Sequence, residues 1–343
     1  MTVTIRPRKR FYALWLVLCA LLLGSAASVT SRATEPEDTV LGIFGFINGK
    51  KTPLKVDLGS GHFATFTLTD GTGTVFQSGS EIDLEITASS ASAALSVTVQ
   101  GGGTLVLGNV EVMGSLKSIT ATAATISNAL TVTGSLGTAK LGDIAGNVTI
   151  TEGITSLVAG QLDGMLSADG SVGKLTLGAV SGHVNVAGNI TSLTTGDVSG
   201  SIYCAGALGR ARVGNVTGLI AAASEIVSLS TLNITGGTIL AGANLGDDGQ
   251  LGGTGSNADT YAGGTIGSIQ AAGAIDNSFV GAGVIPGSDG FGSSDDTSAG
   301  ASLIKKISAR GGATGTKFES SAFGTASLPK KIDPATDPRF IVL

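Results

Sequence analysis

The sequence predicts an all-β protein whose middle is a single-stranded parallel β-helix, a solenoid of 18-residue turns, right-handed and capped by a small N-terminal β-domain. Three observations predict it: a repeat without gaps, a period of two inside each repeat, and a composition rich in glycine but poor in charge and aromatic rings.

The repeat comes first. Residues 129–236 divide into six blocks of 18, which begin at Ala129, Asn147, Met165, His183, Ser201 and Leu219. The last position of every block is glycine, from Gly146 through Gly164, Gly182, Gly200 and Gly218 to Gly236. The second position is always aliphatic (Leu130, Val148, Leu166, Val184, Ile202, Ile220), and so are the eighth and sixteenth. The eleventh is Ala or Leu throughout. Several columns that agree independently mark a repeat architecture, in which one unit cannot bury its apolar face alone and neighbours must stack.

The spacing within a block gives the geometry. Positions 2 and 4 alternate, as do 11 and 13, and period two belongs to strands. Longer steps between these pairs mark corners. The glycine columns at positions 14 and 18 fall there and are read as places where the chain needs φ > 0. Gly, Thr and Val in every block argue against a helix. The inward columns do not follow a six-residue spacing, which is the basis for a right-handed coil. Lys140, Asp143, Asp163, Asp169, Lys174, Asp197, Arg210 and Arg212 all avoid the aliphatic columns, which separates inside from outside.

The repeat continues on both sides with irregularities. Residues 109–128 read as a longer turn, and Ile239 and Ala241 resume positions 2 and 4 after an extra glycine. Ile266, Ile269 and Ala271 resume positions 8, 11 and 13. Phe279 and Gly281 are assigned positions 2 and 4 of the next turn, with Asn277 at the glycine corner. Ile304, Ile307 and Ala309 then take 8, 11 and 13 again. Two inserts, at about 243–263 and 284–301, therefore leave from the same corner and belong beside each other.

The chain divides as follows. Residues 1–27 read as a signal peptide: Arg6, Arg8, Lys9 and Arg10 precede an apolar run of 13 residues, and Ser25-Ala26-Ala27 offers a cleavage site after Ala27. That run is too short for a membrane span. Residues 28–108 read as the capping β-domain, with alternating segments FATFTL, EIDLEI and LSVTV and a core expected from Phe44, Phe46, Phe63, Phe66 and Phe76. The solenoid is assigned to 109–312. Residues 313–343 form a C-terminal cap whose Lys330, Lys331, Pro329, Pro334 and Pro338 block edge pairing.

At this point the runs ATFTLTDGTGTVF, LVLGNVEVMGSLKSI and NSFVGAGVIPGSDGFGSSDD, with the GSL, GNI and GDVSG turns between them, resemble a group of bacterial secreted β-strand-repeat proteins. The resemblance covers nearly the whole chain after the leader. It implies export and a β-solenoid, and it implies no enzyme activity.

Charge and composition narrow the function. Without residues 1–27 the chain carries 16 Lys and Arg against 25 Asp and Glu, a net charge of −9. An acidic surface repels nucleic acid and anionic membranes. Cys204 is then the one remaining cysteine, placed in the core column at position 4. The expectation is a secreted or cell-surface structural or adhesive protein, without catalysis, whose partner is a cell-envelope or matrix component or an extracellular polymer. A polysaccharide-degrading β-helix enzyme is the alternative, but between 129 and 236 the one aromatic residue is Tyr203, too few to line a sugar groove.

The inserts hold the candidate site. Asp247, Asp248 and Asp259 lie in the first, and Asp289, Asp295 and Asp296 in the second. Calcium takes six to eight oxygens from carboxylates and carbonyls on a flexible loop, so these six aspartates are the candidate Ca²⁺ ligands and calcium the candidate cofactor. The second insert lacks the spacing and terminal Glu of an EF-hand, and GGTGSN at 252–257 only approaches a calcium β-roll repeat. The row Glu81, Asp83 and Glu85 shares one strand face, and a solvated face is its plainer reading. His183 sits beside outward Asn185, with Tyr203 one turn on, as a surface polar cluster.

Overall fold

A computed structural model describes residues 38–88 and 90–343. The signal-peptide segment lies outside the described residues. Among them the protein is all-β, with one short 3₁₀ turn at Gly255–Asn257 and no α-helix. Two 15-stranded sheets run the length of the coil, and a narrower third column closes the cross-section.

The columns read from the sequence are the ladders of these sheets. On the first sheet Leu130 faces Val148, which faces Leu166, then Val184, Ile202 and Ile220, all in parallel register. The second sheet aligns Leu136, Ile154, Val172, Ile190, Leu208 and Ile226 in the same way. The third column is a chain of single bridges, Ile126 to Ile144, Leu162, Val180, Val198, Val216 and Ile234. All these side chains are buried in one continuous core, which runs from Phe44 to Phe340. The eight charged residues named above are all exposed. Corner side chains add a polar ladder: Asp197 accepts from the Asn215 amide N–H at 2.7 Å, and the Asn233 side chain donates to Asn215 at 2.9 Å.

The glycines at the ends of the blocks are there for a different reason than expected. None from Gly146 to Gly218 has positive φ. A Cβ on Gly164, Gly182, Gly200 or Gly218 would instead lie 1.9 Å from the carbonyl oxygen of the glycine one coil earlier. Stacked corners approach too closely for any side chain. Within this corner column, left-handed backbone appears where the corner carries an extra residue: Gly236 at φ 68°, Asn277 at 48° and Gly315 at 62°.

That extra residue corrects the register assigned after Asn277. Val280 and Ala282, not Phe279 and Gly281, stand opposite Ile239 and Ala241 and point inward. The corner is Asn277-Ser278, one residue longer than counted. In a strand a one-residue slip moves every side chain to the other face, so Phe279 faces outward.

Residues 39–100 carry the two sheets onward in antiparallel pairings. Thr39–Ile47 and Thr72–Ser78 extend the first sheet, and Leu54–Gly59, His62–Leu68 and Ala94–Gln100 extend the second. Phe44 and Phe66 fill the core here, with ring centroids 5.9 Å apart. The other three phenylalanines do not. Phe63 and Phe76 alternate outward, Phe63 beneath the Lys55 ammonium at 3.8 Å. Gly45 at φ 111° breaks the alternation and leaves Phe46 exposed. At the other end Lys317–Ser320 and Phe323–Ser327 still pair in parallel with the preceding coil. Lys331–Ile332 then folds back antiparallel on the second sheet.

Candidate functional site

Both inserts lie against the outer face of the first sheet. Each leaves through a left-handed glycine, Gly242 (φ 79°) after Ala241 and Gly283 (φ 60°) after Ala282. Each then forms a short antiparallel ribbon: Ala243–Asn244 with Thr260–Tyr261, and Val284–Ile285 with Thr297–Ser298.

A second hydrophobic cluster fastens them. Tyr203, Ala221, Leu240 and Phe279 point outward from the sheet and are buried beneath Ala243, Leu245 and Val284. The two inserts touch: Tyr261 of the first meets the ring of Phe291 of the second edge-on at 5.9 Å, and Phe291 lies 5.0 Å from Phe279. Burial of this apolar surface turns long loops into a fixed relief.

The sequence-predicted aspartates are distributed unevenly. In the first insert each makes its own local contacts. Asp248 caps the Gln250 N–H at 3.0 Å. Asp259 accepts from the Gly252 N–H at 2.7 Å and the Tyr261 hydroxyl at 3.0 Å. Asp247 receives the Asn185 side chain on its backbone carbonyl at 2.7 Å. Burial, with Asp259 adding its charge, pushes the Tyr261 phenol well above its usual range.

The second insert gathers its acids. Asp295 accepts from the Ser293 hydroxyl and the Ser288 N–H, and Asp289 lies beside it. Those hydrogen bonds, Ser293 first, hold Asp295 far below the ordinary carboxylate range. Asp296 is buried and accepts from the N–H groups of Gly287 at 2.8 Å and Gly292 at 2.7 Å, and from Ser293. Burial is the largest influence on Asp296 and pushes it up. The Gly287 amide, the Glu319 carboxyl, the Gly292 amide and Ser293 together outweigh it and hold the group below its usual value. The Asp296 oxygens are thus largely occupied by protein donors. Among the described residues no three His, Cys, Asp or Glu side chains are grouped to hold a metal ion.

The chain matches no family model, no curated protein and no solved structure.

The sequence reading missed Glu319 at this site and placed Tyr203 in a surface polar cluster, whereas Tyr203 is buried beneath the inserts. Glu319 and Tyr203 occupy one outward column: Thr131, Thr149, Ser167, Asn185, Tyr203, Ala221, Leu240, Gly281, Glu319. The change from polar to apolar at Tyr203 is the sequence signal that something covers the sheet from there on. Glu319 is fully buried under the second insert, and neither of its oxygens receives a donor.

The remaining candidates are structural. Asp83 is buried and accepts from the Asn109 N–H at 2.7 Å, so the row with Glu81 and Glu85 is split between a ladder and solvent. His183 Nδ1 is 2.8 Å from the Ser201 hydroxyl one coil on. Cys204 is buried in the core column, and burial pushes its thiol up to about 12, which makes it inert as a nucleophile. No helix among the described residues is long and apolar enough to cross a membrane.

Proposed function

We propose that this chain is a secreted or cell-surface β-solenoid, right-handed and built on 18-residue turns, that serves as a rigid, non-catalytic presenter of one recognition face. The observation that carries this reading is the apolar cluster of Tyr203, Leu240, Phe279 and Leu245, which holds both inserts side by side on an otherwise regular coil. Loops that serve no purpose on a repeat need no such anchoring. The partner is a cell-envelope or matrix component or another extracellular polymer. The acidic balance of 25 Asp and Glu against 20 Lys and Arg disfavours nucleic acid. Residues 1–27 serve as an export signal cleaved after Ala27, which N-terminal sequencing of the exported protein checks.

The test is replacement of both inserts by short turns, with Tyr203, Leu240 and Phe279 changed to Thr so that the bared sheet stays polar. Circular dichroism verifies that the coil survives. Capture of cell-envelope fractions is expected to vanish in the variant. Capture at wild-type level would place recognition elsewhere on the coil.

A further inference from the structure

The outer face of the first sheet has an uncovered part and a covered part, and a cavity of about 460 Å³ lies where they meet. Its floor is sheet: Ser167, Asp169, Asn185 and Ala187. Its wall is the first insert: Asn244, Asp247, Ser256 and Thr260. Two hydrogen bonds fix wall to floor, from the Asn185 side chain to the Asp247 carbonyl and from the Tyr203 hydroxyl to Asn244 Oδ1, both at 2.7 Å. The opening is therefore built into the docked insert and does not depend on loop slack.

We propose that this cavity binds a neutral saccharide. The inference rests on the reading of the insert face as a recognition surface and assigns it a ligand class. The hydroxyls of Ser167, Ser256 and Thr260 and the carboxylates of Asp169 and Asp247 make no hydrogen bond within the described protein and are left for a ligand. Carboxylates accept from adjacent sugar hydroxyls, and side-chain hydroxyls serve as donor or acceptor as the sugar requires. Methyl groups of Ala187, Ala205 and Ala258 lie among these polar groups and suit the C–H faces of a ring. No Lys, Arg or His lines the cavity, and two aspartates do, so uronates, sulfated sugars and phosphates are repelled. The volume falls in the range of about 300–1,000 Å³ usual for small-molecule sites. A cationic amine would satisfy the aspartates but leave the three hydroxyls idle.

The test uses the full chain and ligand-observed NMR with calorimetry. The probes are glucose, galactose, mannose, maltose and cellobiose, with galacturonate and spermidine as charged comparisons. At least one neutral sugar is expected to bind and both charged probes to fail. Ala187→Trp, which fills the cavity from an exposed position, should abolish binding. Asp169→Asn should weaken it about tenfold, the usual worth of one hydrogen bond to a charged group. Both variants are expected to unfold at the wild-type temperature. Absence of binding by every neutral sugar, binding indifferent to Ala187→Trp, or preference for galacturonate or spermidine would overturn the assignment. The two readings separate cleanly. Partner capture lost on insert replacement but kept in Ala187→Trp would refute the cavity alone. Sugar binding lost in Ala187→Trp while capture survives insert replacement would refute the insert face alone.

Discussion

The carboxyl group of Glu319, on the last coils of the first sheet, meets the carboxyl group of Asp296 in the second insert, and both are buried. Two carboxylates in contact cannot both stay ionised without a large cost, so one keeps its proton. Asp296 is surrounded by N–H donors that favour its charge. Glu319 has none, and burial, followed by Asp296, pushes it up to about 8, against the weaker opposing charge of Lys317. The protonated Glu319 therefore donates to ionised Asp296 and latches the insert to the sheet.

This latch predicts a pH dependence. Glu319 holds its proton more tightly in the folded protein than in an unfolded chain, where its pKa is 4.5. Its stabilising share is complete below that value and is lost as pH rises through about 8. Asp295 and Asp296 are shifted the other way, so their share is present above the usual carboxylate range and lost on acidification. Proteolysis within 285–300 is expected to be slowest in mildly acidic solution, just above the ordinary carboxylate range, and to quicken as pH rises through about 8. Glu319→Gln supplies an amide donor at every pH, and its alkaline arm should be flat. An equal alkaline loss in both proteins would assign the effect to other groups.

Much of this architecture is legible in the sequence because a solenoid repeats its constraints. Leu130, Val148 and Leu166 announce a ladder three times over, and the corner shared by the inserts follows from Ile266 and Ile304 resuming the same position. What is not legible is local. The extra left-handed residue at Asn277 cannot be told from an ordinary corner by counting, and it turned Phe279 outward. The burial of Glu319 depends on what the insert does in three dimensions, and no spacing rule reports that. The aspartates of the inserts attract attention as oxygen ligands, yet backbone N–H groups and serines consume Asp296, a competition invisible in one dimension.

The close approach of the stacked corners predicts sharp intolerance at one glycine column. Gly182→Ala places a methyl 1.9 Å from the Gly164 carbonyl oxygen, a backbone atom that cannot rotate away. Overpacking usually costs about 1–3 kcal/mol, and this substitution should lie at or beyond the upper end. Gly236 is the contrast: it has φ 68° and open space around its Cα. Gly236→Asn is expected to be nearly neutral, since Asn277 holds the equivalent corner one coil on, and Gly236→Ala to cost about 1–2 kcal/mol for its left-handed backbone. Urea unfolding of the three variants checks the order.

Calcium separates two uses of the aspartates. With the Asp296 oxygens already accepting from Gly287, Gly292 and Ser293, an added cation has to displace protein donors. The unfolding midpoint is expected to be the same in millimolar calcium and in chelator. A rise in calcium would show that the second insert rearranges to present Asp289, Asp295 and Asp296 as ligands, and ligand binding to the folded state alone would account for the shift.

Phe291 joins three bodies: its own insert, Phe279 of the sheet and Tyr261 of the other insert. Its loss should therefore be felt in both inserts and not in the coil, whose core is a separate cluster. Phe291→Ala is expected to speed proteolysis in 243–263 as well as 285–300, with the main unfolding transition unmoved. Tyr261→Ala should do the same from the other side. Because the rings meet edge-on, the double variant should fall short of the sum by about 0.5–1.5 kcal/mol, the coupling of an aromatic pair. Strict additivity would mean that the inserts dock independently. Coupling would mean that they hold one another in place, so that a partner gripping one stiffens the other.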